Sequence, residues 1–464
     1  MRPTLFVRRA CCLATAFALI PLPALAQAPT QSEARPSVPQ IDLAAAKTRL
    51  NSLLDQSYPA LEALYEDIHA HPELGFQETR TAALLAGKLR AAGFEVTEGV
   101  GRTGVVGVLR NGEGPTILIR AEMDGLPMEE KTGLPYASRA TQTRNGEETL
   151  VFHGCGHDLH MAWWVGAAEA LAQMKDSWKG TLLFIGQPAE ESLGGARGMI
   201  ADGLLTRFPR PDYGFAAHVN NLPAGTIHIR PGAAGAASDS FDVTFHGRGG
   251  HGSMPSATID PIVMGARFVN DVQTVISREK DAAAFGVLTI GAFQAGSVAN
   301  IIPDNAMVKV NMRSYSADVR AQLVDGMERT ARAVSSMARA EPPTITRLAG
   351  TAALINDAGM AHQAEALLRP LYGDQIHFVP PDAPPVSASE DYSEYVAAGV
   401  PSLFFSIGGY DPAVIAAAEA NKTQLPVNHS PNFAPIPGPT IRAGVTALVM
   451  SVIGGVRPEA GSAQ

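Results

Sequence analysis

Two short stretches gather reactive side chains at spacings that could do chemistry. One is His153-Gly154-Cys155-Gly156-His157-Asp158-Leu159-His160, and the other is Gln187-Pro188-Ala189-Glu190-Glu191. Of the three cysteines, Cys11 and Cys12 fall in a segment expected to be removed, which leaves Cys155 without an internal disulfide partner. Such a cysteine is either a small buried apolar residue or a soft metal ligand. A histidine two positions away, a carboxylate pair and further histidines downstream favour the ligand, and with it a metal-dependent hydrolase. Two metal ions about 3.5–4 Å apart can activate a water and polarise a carbonyl. A thiolate is a competent bridge between them, because the metal itself would deprotonate Cys155. Glu190 and Glu191 are adjacent, so their side chains diverge, and one can bind metal while the other faces the water. Each feature alone has a plainer explanation: a glutamate pair suits a helix start, a buried cysteine packs, and His218 could be a satisfied polar group at a strand end. Their order along one frame is what argues for a site.

The elements that must hold these residues read as α/β. Leu43 to Arg90 is helical in two pieces, broken at Pro72 to Gly75. Phe94 to Val96, Gly104 to Leu109, Thr116 to Arg120, Thr181 to Ile185 and Tyr213 to Val219 read as strands, and Asp158 to Met174 as a helix. Strands alternating with helices predict a mostly parallel sheet covered on both faces. Asp124, Glu190, Glu191 and His218 then fall just past C-terminal strand ends, where open α/β sheets bind ligands. From Ala237 the texture changes to a β-α-β-β-α-β-like stretch, with strands at 240–246, 284–295 and 306–313, helices at 260–276 and 318–338, and a close at Glu341-Pro342-Pro343. The expected organisation is a catalytic domain in two parts, 43–236 and 344–456, with a smaller α+β domain at 237–343 inserted between them and a tail at 457–464.

Residues 1–26 read as a secretory signal peptide: Arg2, Arg8 and Arg9, an apolar core from Ala10 to Leu22, and Ala24-Leu25-Ala26 as the cleavage site. The core is shorter than the roughly 20 residues of a membrane span. Residues 27–42 form a polar, proline-rich leader. The protein is expected to be secreted, and periplasmic in a Gram-negative host. The signal holds three of the 36 basic residues and none of the 45 acidic ones, so the remainder carries 33 against 45. That balance speaks against nucleic acid or an anionic membrane as partner.

Several stretches resemble the M20 metallopeptidase family: His71-Pro72-Glu73-Leu74-Gly75-Phe76, Arg120-Ala121-Glu122-Met123-Asp124, the His153–Asp158 run, Gln187–Glu191 and Gly249-Gly250-His251-Gly252. The likeness is narrower still to its amidohydrolase branch of hippurate hydrolases, N-acyl-amino-acid amidohydrolases and auxin-conjugate hydrolases. Asn300-Ile301-Ile302-Pro303, Ser389-Glu390-Asp391 and Asn428-His429-Ser430-Pro431 match further. The resemblance implies Cys155, His157, Glu191, His218 and His429 as metal ligands, Glu190 as general base, and Asp124 orienting a ligand from behind. It implies that the inserted domain is a lid and dimerisation domain, that His251 reaches the partner's active site in a homodimer, and that Asn300 and Arg313 bind substrate. The expected activity is cleavage of the amide bond of N-acyl amino acids by metal-activated water. A metallo-carboxypeptidase or dipeptidase is the alternative, and a non-catalytic periplasmic binding protein on a hydrolase scaffold is a further one. Two divalent ions per subunit are expected; thiolate, imidazole and carboxylate together suit zinc, and manganese, cobalt or nickel can occupy such a mixed site.

The chain departs from the branch in places. Members commonly carry ADMDALP where Ala121-Glu122-Met123-Asp124-Gly125-Leu126-Pro127 stands here, and a histidine where Ser256 stands. Val310-Asn311-Met312-Arg313-Ser314-Tyr315 replaces the usual GTVRTF, and Thr141 to Thr149 lengthens the approach to Cys155. The ligands and base are all present, so these departures bear on substrate choice. His69 and His71 lack a carboxylate cluster in sequence and read as structural.

Overall fold

Strand Gly180–Gln187 sends Leu182 and Phe184 to one side and Leu183 and Ile185 to the other, and all four are buried. Its neighbour Thr116–Glu122 does the same with Ile117 and Ile119 against Leu118. Side chains alternate across a strand, so apolar residues on both faces require a cover on both faces. The two sets enter different cores. One contains the helices Leu43–Ala70, His157–Gln173 and Pro437–Ile453, and the other contains Met199, Tyr392, Tyr395 and Phe404. The computed structural model describes residues 41–380, 383 and 386–459. The expected signal peptide, most of the leader, part of the loop at Pro380–Pro385 and the end of the tail lie outside them.

The large sheet has eight strands in the order Glu95–Val100, Gly104–Asn111, Gly180–Gln187, Thr116–Glu122, Tyr213–Pro223, Ser402–Tyr410, Ile227–Ile229, Ile376–Phe378. The four central strands run parallel, and the antiparallel pairings lie toward the edges. The fold is therefore α/β with a mixed, mostly parallel sheet. His157–Gln173 is buried around its whole circumference, Trp163 and Trp164 included, as expected of a helix packed between the sheet and two other helices.

A second sheet of four antiparallel strands follows in chain order β-α-β-β-α-β: Ala237–His246, Gly286–Ala295, Asn305–Ser314 and Thr344–Thr351, with helices Pro261–Asp271 and Ala317–Met337. Strand Asn305–Ser314 buries every second residue, Ala306, Val308, Val310 and Met312, and the last three enter a core separate from those of the large sheet. Three boundaries differ from the sequence expectation. The small domain, expected to close at Pro342-Pro343, continues past them into its fourth strand, because prolines stop a helix but can precede a strand. The helix expected to reach Ile276 ends at Asp271, and a π-turn at Val275–Glu279 takes its place. Strand Tyr213–Pro223 runs past His218, so that histidine lies within a strand; pairing with Thr116–Glu122 stops at Ala216, which frees that edge of His218 for the site. The Thr141–Thr149 insertion is a hairpin, Thr141–Arg144 with Glu147–Leu150, turned by Asn145-Gly146 at positive φ.

His69, in the last turn of Leu43–Ala70, clamps this frame. Its ring nitrogens lie 2.6 Å from Asp158 Oδ2 and 3.1 Å from Glu130 Oε1, all three groups buried. It is structural, as expected, but it has the carboxylate partners that its sequence neighbourhood lacks. Burial alone would lower its pKa; the bonds to Asp158 and Glu130 overcome this and raise it from 6.5 to about 9. A raised folded-state pKa gives stability that is complete below pH 6.5 and lost as pH climbs through 9. Denaturant unfolding of wild type and His69→Gln across pH 6–9.5 should show wild type ahead at pH 6 and the gap narrowing toward 9. A gap that widens with pH contradicts the clamp.

Candidate metal centre and active site

Gly156 precedes His157–Gln173 at φ 88, and a Cβ there would lie 2.4 Å from Val219 Cγ1. Only glycine lets the chain turn so tightly against the sheet, and the turn presents Cys155 and His157 together at the end of the central strands. From the strand Tyr213–Pro223, His218 Nε2 comes to 3.4 Å from Cys155 Sγ. From the loop after Gly180–Gln187, Glu190 Oε2 lies 3.9 Å from His157 Nε2. Glu191 Oε2 lies 3.3 Å from His429 Nε2. Donor atoms of Cys155, Glu191 and His429 fall within 4.8 Å of one another, as do those of His157, Glu190 and Glu191. All five expected ligands and the expected base thus meet in one place.

The tautomers can be assigned from the hydrogen bonds. His157 Nδ1 is 2.8 Å from the Asp124 carbonyl oxygen and His218 Nδ1 is 2.8 Å from that of Val219, so both Nδ1 atoms carry the proton. Their Nε2 lone pairs face the cluster. His157 Nε2 and Glu191 Oε1 are buried without a hydrogen-bond partner among the described residues. Buried polar atoms rarely stay unpartnered, and imidazole, thiol and carboxylate together are the donor set of a divalent cation. Without cations the Cys155 thiol is pushed well up, first by burial and then by Glu191 and Glu190. Glu190 is also raised, by burial and then by Glu390, Glu191 and Asp391. These residues fit a metal site, and bound cations would reverse both shifts.

Asp124 organises the glutamate pair: its Oδ1 accepts from the Glu190 N–H at 3.1 Å and its Oδ2 from the Glu191 N–H at 3.0 Å. Its contact to His157 runs through the main-chain carbonyl, with Oδ1 farther off at 3.5 Å. Asn428 donates to the Cys155 and Val219 carbonyls at 3.0 and 3.1 Å, which seats His429 beside the cluster.

Three functional neighbours were missed in sequence. Arg120, fully buried, donates to Gln187 Oε1 at 3.0 Å, to Glu390 at 2.7 and 3.2 Å and to Asp391 at 3.1 Å, and pairs with Glu122. The available signal was an arginine inside an apolar strand, a residue almost never fully buried unless paired. Glu122 was noticed only as a departure from aspartate. Glu78 accepts from the Ala189 N–H at 2.8 Å, and burial and Asp124 raise it to about 7.

The site opens into a cavity of about 340 Å³ that Arg313 and Glu390 also line. His251 and Asn300 are elsewhere. Both are exposed on the second sheet's domain, at the short strand pair Gly250–His251 and Ile301–Ile302, with Gly252 N–H donating to the Asn300 carbonyl at 2.8 Å. One chain does not bring them to the cluster.

The profile of peptidase family M20/M25/M40 matches residues 118–425. The chain belongs to this family. Among M20 relatives, a hippurate hydrolase of Campylobacter jejuni is 37% identical over 336 residues, covering 71% of this chain and 83% of that one. Thermostable carboxypeptidase 1 of Saccharolobus solfataricus is 39% identical over 267 residues, 56% of this chain and 65% of that one. A dinuclear metal-binding M20 peptidase of Bacillus subtilis superposes with a TM-score of 0.67 at 26% identity, over 88% of this chain and 99% of that one. Like its relatives in the family, this M20 chain is a hydrolase of amide or peptide bonds, in the amidohydrolase branch, with a divalent-metal site. Among the described residues, no helix is long and apolar enough to cross a membrane.

Replacing Asp124 by Asn leaves one acceptor oxygen for two N–H groups and should loosen the glutamate turn while the His157 tautomer, set by the main chain, persists. Loss of such support typically lowers metal affinity about 10–100-fold. Titration of chelator-stripped Asp124→Asn with zinc should show that loss; affinity equal to wild type rules the bridge out as a positioning element.

Proposed function

We propose that this protein is a secreted metal-dependent amidohydrolase that cleaves the amide bond of N-acyl amino acids. The observation that carries the reading is Glu190: a buried carboxylate beside five converging donors, at the floor of a cavity whose wall holds an arginine. Two divalent cations, zinc being the best suited, would be held by Cys155, His157, Glu191, His218 and His429, and would polarise the carbonyl and acidify a water. Glu190 takes the proton of that water as its oxygen bonds to the carbonyl carbon, then delivers it to the leaving nitrogen as the C–N bond breaks. Asp124 holds Glu190 and Glu191 in register. Arg313, whose Nη1 donates to Ser389 Oγ at 2.5 Å, offers its planar fork to the substrate carboxylate. The N-terminal motif supports export, to the periplasm in a Gram-negative host.

We further propose a homodimer in which His251 and Asn300 complete the partner's site. His251 Nδ1 accepts from the Ser253 N–H at 3.1 Å, which leaves an Nε2–H pointing outward, the form that can steady a developing oxyanion. Around it Met254, Val298 and Ile301 are more than half exposed, more apolar surface than a solitary lid edge needs. The plainer role for His251 is to cap its own turn through that same Ser253 bond.

The carboxypeptidase relative keeps peptide cleavage as a second reading, because both reactions hydrolyse an amide beside a carboxylate. A panel of N-acetyl and N-benzoyl amino acids and dipeptides separates them: acyl substrates should lead in kcat/KM, and preference for dipeptides transfers the assignment to a peptidase. On the best substrate, Glu190→Ala should lower kcat by roughly 10²–10⁴ with metal content unchanged, and near-full activity would remove Glu190 from the base role. Mixing inactive His251→Ala with inactive Glu190→Ala subunits should restore activity, since one hybrid site carries both intact residues. No recovery despite proven subunit exchange, or full activity of a strict monomer, defeats completion in trans.

A further inference from the structure

Glu122, His160 and the Val219 peptide form a chain of bonds behind the metal donors. His160 Nε2 lies 3.0 Å from the Val219 nitrogen, and a backbone N–H can only donate, so Nε2 is the acceptor. The ring proton must then sit on Nδ1, which is 2.8 Å from Glu122 Oε2. The other Glu122 oxygen pairs with Arg120. On the far side of the same residue, the Val219 carbonyl accepts from His218 Nδ1 and from Asn428 Nδ2 at 3.1 Å. The His160 ring is stacked on Trp163 with centroids 4.6 Å apart, and meets His218 edge-on at 4.4 Å. Glu122, His157, His160 and His218 present donor atoms within 4.8 Å of one another and so resemble a metal site of their own. Both His160 nitrogens and Glu122 Oε2 are already hydrogen-bonded, however, and Glu122 Oε1, which has no hydrogen bond, is held against the Arg120 guanidinium as an ion pair, which leaves the His157 and His218 lone pairs for a cation.

We propose that Glu122 and His160 are positioning residues: Glu122, by its length, spans from Arg120 to His160 and locks the Nδ1–H tautomer, and His160 in turn holds the Val219 peptide that aims His218. The inference rests on the proposed ligand role of His218, yet it concerns metal affinity and tautomer, neither of which needs a substrate, so the amidase reading can fail independently.

Two variants separate reach from charge. Glu122→Gln keeps the length and an acceptor for His160 but loses the charge; Glu122→Asp keeps the charge and loses the reach. In zinc titrations of chelator-stripped protein, Glu122→Asp should bind the weaker ion about 10–100-fold less tightly, and Glu122→Gln should stay several-fold closer to wild type. The reverse order would mean that Glu122 serves only to balance Arg120, and equal behaviour of the two variants overturns the proposal as well. Should either variant fail to fold, the wild type decides: proton–nitrogen correlation of histidine-labelled metal-free protein, with the signal assigned by its absence in His160→Gln, should show His160 protonated on Nδ1 alone. A proton on Nε2 overturns the proposal.

Discussion

A crowd of carboxylates held out of water is the constraint on which the rest of this structure depends. Glu78, Glu122, Asp124, Glu190, Glu390 and Asp391 are all buried at one end of the central sheet. Each would be expensive alone, because an unpaired buried charge costs several kcal/mol. The fold meets the cost in two ways. Arg120 sits amid Glu122, Glu390 and Asp391, and its donors are distributed over them and Gln187. Backbone N–H groups of Ala189, Glu190, Glu191 and Ala196 bond to Glu78, Asp124 and Asp391. Glu190 and Glu191 receive little of this help, and burial and the neighbouring carboxylates still hold Glu390 up at about 8. The arrangement is satisfied on the side of Arg120 and unsatisfied on the side of Cys155, which is where divalent cations belong.

Backbone strain is also stored where those charges are presented. Ala189 and Leu193, flanking the glutamate pair, and His429 all have φ between 50° and 69°, a region that costs a non-glycine residue of order 1–3 kcal/mol. The strain is held by contacts on either side. Gly75 packs so closely that a Cβ would lie 3.0 Å from the Ala189 Cα, and a Cβ on Gly195 would collide with the Pro188 carbonyl. His429 is fixed by its own N–H to the Gly154 carbonyl at 2.8 Å and by the neighbouring Asn428. These glycines are packing devices for the site, although neither belongs to it chemically.

The α/β frame was legible because strands buried on both faces read as continuous apolar runs and the helices kept their period. The second sheet's element order was legible for the same reason, through the alternation in Ser240–His246 and Ala306–Arg313. Boundaries were less so: prolines at 342–343 signal only that a helix has ended, and the Asn145-Gly146 turn looked like mere added length. The donors were legible because a cysteine, a histidine and a glutamate pair are rare neighbours. The residues that make them work were not, because their partners are distant in sequence. Arg120 meets Glu390 across 270 residues and His69 meets Asp158 across 89, and no local pattern records such a pairing.

Burial and charge together also set how the site must take up its ions. The Cys155 thiol and the Glu190 carboxyl are both shifted upward, by burial first and then by the carboxylates around them. In that state the Cys155 thiol holds a proton that a cation must displace, so metal binding and proton release are one event. The proton lost from Cys155 leaves a thiolate facing a cation in surroundings that screen poorly. The arrangement that is awkward for the protein alone is suited to divalent metal, and the Arg120 network behind it holds Glu122, Glu390 and Asp391 in place beside the donors.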